Sequence, residues 1–203
     1  MLSWPLASSE TRSKDTLKLS VSLLSSCYRE VLTSILEHSP NDYLLYYKRA
    51  TSNLSLQRHT AALEDFDKVL SLSSSSFSNA HLQKARIFTK EGDFASARHS
   101  LSQYLKAKNG VRDAEAEELE KDITEGDEMR EKTKKERGAQ LWTSCVETAS
   151  QALRVASHST EIRNWRAECA LAAGDAESAV GDLRYVVLYV PRFFHSDIRN
   201  AAD

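Results

Sequence analysis

The sequence predicts an all-α protein, an α-solenoid of antiparallel helix pairs, and three observations carry that prediction. Apolar and small residues recur at helical spacing between Tyr43 and Leu72, first at Leu44, Tyr47, Ala50 and Leu54, then at Ala62, Phe66, Val69 and Leu70. Gln57, Arg58 and His59 interrupt the runs as a tight turn would, so the segment reads as an αα-hairpin. The same grammar returns twice. Ala50 and Ala62 stand 12 apart, and 35 residues after Ala50 come Ala85, then Ala97, Leu101 and Tyr104, with Gly92-Asp93-Phe94 at the turn. Ala167, Ala179, Leu183 and Val186 repeat it around Gly174-Asp175-Ala176, with Pro191 as the stop.

This pattern resembles the tetratricopeptide repeat (TPR), a unit of about 34 residues with a small residue in each helix where backbones approach closely. Here the signature falls on Ala50, Ala62, Phe66, Ala85, Gly92, Ala97, Ala167, Gly174, Ala179 and Pro191. Glycine takes a left-handed turn cheaply and proline ends the second helix. The resemblance implies a TPR-like right-handed superhelix. Three positions depart from it: Gln57 replaces the turn glycine, Ser74 the closing proline, and Asn53 the usual tyrosine of the first helix.

Length and charge set bounds. A chain of 203 residues suffices for one elongated core or two short stacks. A net charge of −2 gives no electrostatic case for nucleic acid. Cys27, Cys145 and Cys169 are widely spaced and odd in number, which argues against a disulfide framework or a zinc site. No run approaches the roughly 20 apolar residues of a membrane span.

In chain order, residues 1–26 read as a poorly ordered or degenerate segment, irregular from Met1 to Asp15. Leu17 to Leu24 is weakly apolar, either a degenerate signal peptide or a poor first helix. A first stack spans 27–108: a partial repeat, whose second helix places Tyr28, Leu32 and Ile35 before Pro40, then two further repeats. Ser73 to Ser76 forms a loop between these. Asn53-Leu54-Ser55 matches a glycosylation sequon, but Asn53 sits at a packing position. Residues 109–138 read as a charged, solvated linker helix, acidic first and basic later, as suits a helix dipole. Only Leu119 and Ile123 look like packing residues there, Gly126 is a candidate break, and Arg130 to Arg137 is a diluted basic patch. A second stack spans 139–203. Trp142, Cys145, Ala149 and Ala152 supply the second helix of a degenerate fourth repeat, with Cys145 a buried thiol in a small-residue slot. A complete fifth repeat follows, and Arg192-Phe193-Phe194-His195 stands where a sixth would begin.

Two segments resemble one TPR family more closely. KRAT-x-x-LSL-x-R…A-x-x-DFDKVL, the WxxCV pair, and RAEC-x-x-x-GD-x-x-x-AV-x-DL are similar to fungal members of the endoplasmic-reticulum DnaJ subfamily C co-chaperones, also called inhibitors of the double-stranded-RNA-activated kinase. The resemblance runs from about Tyr43 to Pro191. It implies a TPR array whose first repeats hold unfolded or extended polypeptide clients on an apolar patch. It also implies a J domain, with a His-Pro-Asp motif, acting on an Hsp70-class chaperone in the lumen. The nearest match to that motif is His195-Ser196-Asp197, which lacks the proline, so the J-domain half is not carried over. The chain thus looks like a shortened relative, a fragment or a truncated gene model. The family implies the endoplasmic reticulum lumen; the cytoplasm is the alternative, since no clear signal peptide stands at the N-terminus.

In TPR stacks the first helix of each pair lines the groove, and function lives there. The groove positions are Leu44, Tyr47, Thr51 and Leu54 in one repeat and Asn79, Leu82, Arg86 and Thr89 in the next. Tyr47 and Thr51 stand where a carboxylate clamp would want Lys and Asn, so the apolar groove favours extended apolar peptide, with Tyr47 and Arg86 as contacts. Catalysis finds no support: His38, His59, His81, His99, His158 and His195 are scattered, and no phosphate-cradling loop or nucleophile motif is present. Glu64, Asp65 and Asp67 read as solvated charges on an outer face. No cofactor is implied. Three functions stay open: a client-binding arm of a DnaJ-type co-chaperone, a cytosolic adaptor for one folded partner or peptide tail, or a non-functional product aggregating through Phe193 and Phe194.

Overall fold

The computed structural model describes residues 9–73 and 77–189, with side chains between residues 23 and 188. These residues form helices α1 (Ser9–His38), α2 (Tyr43–Ser55), α3 (His59–Leu72), α4 (Ser78–Glu91) and α5 (Phe94–Ala107). They continue with α6 (Ala114–Gly138), α7 (Trp142–Val155), α8 (Thr160–Ala172) and α9 (Ala176–Tyr189). No strand occurs among the described residues, so the all-α class holds. Residues 1–8, Ser74, Pro191 and the Arg192–His195 run lie outside the described residues.

The helices begin where short polar side chains can cap them. Asp42, Asp93, Asp113 and Ser159 each accept a hydrogen bond from a backbone N–H two or three residues on, supplying a partner to donors that the first turn leaves free. Asp113 also accepts from the Tyr104 hydroxyl, which together with the Ala116 N–H holds its carboxyl below the usual carboxylate range. The stabilisation from its ionised cap is therefore complete above the ordinary Asp range and is lost as pH falls from there through the lowered value. Turns close through left-handed residues. Gly92 and Gly174 supply φ of 83° and 86°, whereas Gln57 and Gln140 adopt 56° and 60° with a side chain in place. The glycine missing at Gln57 thus changes the cost of the turn and not its path.

Two compact units divide between Lys84 and Ala85. In the first, α1 packs on α2 and α2 on α3. Ala50 and Ala62 are fully buried at that second contact, with Phe66 and Val69 beside them. A polar clamp crosses the same pair. Arg49 donates to both carboxylate oxygens of Asp65 at 2.6 and 3.0 Å, Asn53 Nδ2 donates to Asp65 Oδ2 at 3.1 Å, and Arg49 reaches the Thr33 hydroxyl of α1 at 3.5 Å. Asp65, expected as a solvated charge, is only 4% exposed; Glu64 and Asp67 are exposed as expected. The burial is tolerable because Arg49 and Asn53 satisfy the carboxylate. Asn53 is likewise buried and bonded, which makes its sequon a packing residue in the folded chain. Helix α1 runs from Ser9, so residues 9–26, read as degenerate, are helical. Its Leu32 is buried as expected, but Tyr28 and Ile35 are not: they lie on a different side of the helix and stay about half exposed.

In the second unit α5 packs on α6, α6 on α7, α7 on α8 and α8 on α9. The charged segment expected as a solvated linker lies inside this unit. Ala116, Leu119, Ile123, Gly126 and Thr133 are buried along one side of α6. That stripe is mostly small or polar, so hydropathy does not reveal it, yet small side chains let neighbouring helices come close. Gly126 does not break the helix. A Cβ there would lie 2.6 Å from Phe94 Cε1 and 3.1 Å from Val155 Cγ1, so the glycine exists to admit the ring.

The polar clamp recurs at the same spacing. Arg166 donates to both oxygens of Asp182 at 2.6 Å and to Ser150 at 3.1 Å, while Arg163 adds a bond to Asp182 at 3.1 Å. Cys145 and Cys169 form a disulfide across α7 and α8, their Cα atoms 6.2 Å apart. This corrects the reading of Cys145 as a free buried thiol. The odd count meant only that Cys27 is left over, exposed on α1. Leu183, expected in the core, is 41% exposed on α9.

Two stability predictions follow from these contacts. Asp65→Ala strands the Arg49 guanidinium and should cost about 3 kcal/mol in urea unfolding. Asp67→Ala, which removes only an exposed partner of Lys84, should cost less than about 1 kcal/mol. Gly126→Ala gains roughly 1 kcal/mol of helix propensity but overpacks Phe94, for a net loss of about 1–2 kcal/mol. Adding Phe94→Leu should recover most of that loss.

Candidate peptide-binding surface

Helix α2 carries the side chains expected to meet a ligand, and the structure sorts them. Leu44 stands out most, 47% exposed in the first turn. Tyr47, one turn on, is half-buried and held by two rings: its centroid lies 5.8 Å from Phe66 and 4.9 Å, edge-on, from Phe77. Tyr43 meets Phe77 at 5.7 Å. Phe66 is fully buried beneath, so the aromatic edge of Tyr43, Tyr47 and Phe77 rests on the α3 core while part of each ring meets solvent. Aromatic rings so arranged offer large, stiff apolar area at low entropic cost. Leu54 lies half-buried two turns further along.

The polar members of the expected set are committed elsewhere. Thr51 Oγ1 donates to the Lys48 carbonyl at 2.8 Å. Beyond the clamp, Arg49 also lies 5.4 Å from the Tyr46 ring centroid. In α4, Asn79 is exposed as expected, but Leu82 is only 3% exposed and is a core residue, not a groove contact. Its helical position was right; its side faces the interior.

Arg86 and Thr89 belong to the second unit and are described by themselves. Thr89 is buried and donates to the Ala85 carbonyl at 2.8 Å. Arg86 pairs with Glu115 at 2.9 Å and stands at the rim of a surface cavity of about 500 Å³, lined also by Glu118, Leu119, Asp122 and Arg154. Burial, then Glu118 and Glu125, push the Asp122 carboxyl up. This mixed lining suits a polar segment better than an apolar one.

The two arginines of the diluted basic patch of α6 are engaged within the unit. Arg130 pairs with Glu161 at 2.8 Å and Arg137 with Glu168 at 2.7 Å, each guanidinium 5.8 Å from the Trp165 ring centroid. Among the described residues no cluster of His, Cys, Asp and Glu could hold a metal ion, and no helix is long and apolar enough to cross a membrane.

Sequence reasoning missed Tyr43 and Phe77. The signal for Tyr43 was present, since it lies one turn before Tyr47 on the same face. Phe77 sits ahead of α4, where helical periodicity says nothing.

Comparison with known proteins places the chain. No family model matches it. It is 40% identical over 148 residues to the tetratricopeptide repeat and J domain-containing co-chaperone DNJ1 of Cryptococcus neoformans var. grubii, a match covering 73% of this chain and 28% of that protein. Similarity to DNJ1 of Fusarium oxysporum f. sp. lycopersici is 42% over 154 residues, covering 75% and 28%. Human DnaJ homolog subfamily C member 3 is 30% identical over 148 residues, covering 71% and 29%. Each match thus takes in under a third of the relative's length. Among solved structures, the crystal structure of the P58(IPK) TPR domain superposes with a TM-score of 0.71 at 25% identity, covering 87% of this chain and 49% of that one. The fold is a protein-interaction fold and not an enzyme's, and the chain is a tetratricopeptide-repeat protein homologous, over about three quarters of its length, to the TPR and J domain-containing co-chaperones.

Proposed function

We propose that this chain holds extended, apolar segments of unfolded polypeptides as the client-binding part of a DnaJ-type co-chaperone. The observation that carries the reading is the α2 surface: an exposed Leu44 beside the aromatic edge of Tyr43, Tyr47 and Phe77. A client side chain that docks there exchanges water for stiff apolar surface without forcing any buried charge to give up its partner, because Arg49 and Asp65 satisfy each other. Two of the relatives, the fungal DNJ1 proteins, are co-chaperones by name, which favours clients over a single folded partner. In a longer chain carrying a J domain, an Hsp70-class chaperone would be the second partner.

The compartment we propose is the endoplasmic reticulum lumen. Its support is the Cys145–Cys169 disulfide, a bond that persists in oxidising compartments and is rare where glutathione keeps thiols reduced. The cytosolic adaptor reading would leave that bond without a setting.

Suppression of aggregation of a reduced, unfolding client by the purified chain tests the function. Wild type should suppress it. Leu44→Ser, which alters an exposed side chain, should weaken suppression by roughly 3–10-fold in half-effective concentration, the equivalent of about 1 kcal/mol of lost apolar contact. Its circular dichroism should match wild type. A folded wild type inert toward every unfolded client would overturn the reading.

A further inference from the structure

The second unit is not packed uniformly. From α5 to α7 it is interlocked by large side chains: Phe94, Leu101, Tyr104 and Ile123 are buried, and the Phe94 ring and Val155 of α7 both meet Gly126 of α6. The step from α7 to α8 is built differently. Its core cluster is Ala167, Ala170 and Ala179 with half-buried Val146 of α7 packed against them, and Ile162 is the large aliphatic side chain that α8 buries. Other ties to α8 are polar. Arg166 donates to the Ser150 hydroxyl of α7 at 3.1 Å, and Glu161 and Glu168 pair with Arg130 and Arg137 of α6 near half-buried Trp165. Alanine methyls remove little apolar surface from water and partly exposed ion pairs contribute little, so the noncovalent grip on α8 is weak.

The two ends of the α7–α8 hairpin are also held unequally. At the turn, the His158 N–H donates to the Lys90 carbonyl at 2.8 Å. A Cβ at Gly92 would lie 2.7 Å from Ser159 Oγ, so the glycine lets the α4–α5 turn press on this one. At the open end stand Cys145, in the first turn of α7, and Cys169, in the last turn of α8. Each lies about ten residues from the turn, roughly 15 Å along its helix. The Cys145–Cys169 bond thus closes the hairpin where the turn has least hold.

We propose that this bond is a redox-controlled clasp on a hinge: formed, it holds α8 and α9 against α7; reduced, it lets the pair swing out from the α7–α8 turn. The pair moves as one body, because Arg163 and Arg166 of α8 both hold Asp182 of α9. Repeat folds permit such a joint, since each helix pair contacts only its neighbours and loosening one interface need not unfold what precedes it. Both cysteines are fully buried, so a thiolate reaches a sulfur only when the contact opens, and the closed clasp resists reduction. Exchange with two glutathione thiols breaks the S–S bond, delivers two electrons and two protons to Cys145 and Cys169, and releases oxidised glutathione. The two thiols left behind still fit their slots but no longer tie one helix to the other. Oxidising surroundings therefore keep the joint closed and reducing surroundings open it. The clasp belongs to α7–α9 and stands whether or not α2 holds clients.

The test is hydrogen–deuterium exchange of the full chain in a Cys27→Ser background, which removes the exposed thiol. Chain refolded under oxidised glutathione is compared with chain refolded under dithiothreitol and with Cys145→Ala plus Cys169→Ser. Ala62 and Ser52 stand at the equivalent places in the α2–α3 pair, so these replacements remove the bond with little change in packing. Amides of residues 160–189 should exchange faster by about tenfold or more in the reduced and bond-free chains, while residues 94–137 change by less than about threefold. Re-oxidation of the reduced chain should restore slow exchange, and alkylation should find Cys145 and Cys169 blocked in the oxidised one. Unchanged exchange in α8 and α9 on reduction would make the bond idle. Equal acceleration across residues 94–189 would make it a brace for the whole unit. Either result overturns the joint, as would alkylation of both cysteines in a folded chain prepared under oxidised glutathione.

Discussion

Close approach of paired helices at small side chains is the constraint on which the rest of this structure depends. Ala50 and Ala62 are fully buried, as are Ala85 and Ala97, and Ala167 and Ala179 are buried to within 1%. Thr133 and Cys145 occupy the equivalent pair of slots, again 12 residues apart and fully buried. A larger side chain at any of these positions would push the helix axes apart, since interaxial distance is set by what stands at the contact. Phe66, Leu101 and Tyr104 pack in the space beside those contacts. Because the contact is small, the first helix of a pair can direct its other faces elsewhere, and that freedom is what α2 uses to display Leu44 and Tyr47.

The polar clamps follow from the same geometry. Arg49 and Arg166 each precede a small-slot alanine, and each reaches an aspartate 16 residues later on the second helix and a hydroxyl 16 residues earlier on the helix before. One guanidinium thus ties three helices. The pairs α4/α5 and α6/α7 bury Ser100 and Thr148 at the aspartate's position instead, where no buried charge needs a partner. In the second unit the disulfide joins α7 to α8 beside the Arg166 clamp, so covalent and ionic links hold the same neighbours together.

What was legible in the sequence is what depends on spacing: the helix pairs, their turns and the alanine slots. Asp65 was misplaced because an acid beside Glu64 and Asp67 looks like one of a solvated set. Only the third dimension shows Arg49 and Asn53 converging on it. Helix α6 was misjudged because Ala116, Gly126 and Thr133 pack without being hydrophobic. The disulfide was missed because 24 residues separate its cysteines, and the facing of α7 and α8 is not written in local spacing. On the candidate surface, helical phase put Leu44 and Tyr47 on a side of α2 that the structure leaves exposed or half-buried, but could not tell Leu82, turned inward, from an exposed residue. Phe77 lay outside any periodic run, and so the ring that holds Tyr47 was invisible.

The central claim is that the exposed apolar face of α2 is where an extended polypeptide binds. Hydrogen–deuterium exchange of the chain, with and without a saturating apolar peptide derived from an unfolded client, tests it most directly. The account predicts slowed exchange concentrated in residues 43–56 and in the start of α4 around Phe77, with α8 and α9 unchanged. Protection confined to α8 and α9, or absent from α2 while the peptide is demonstrably bound, would contradict it.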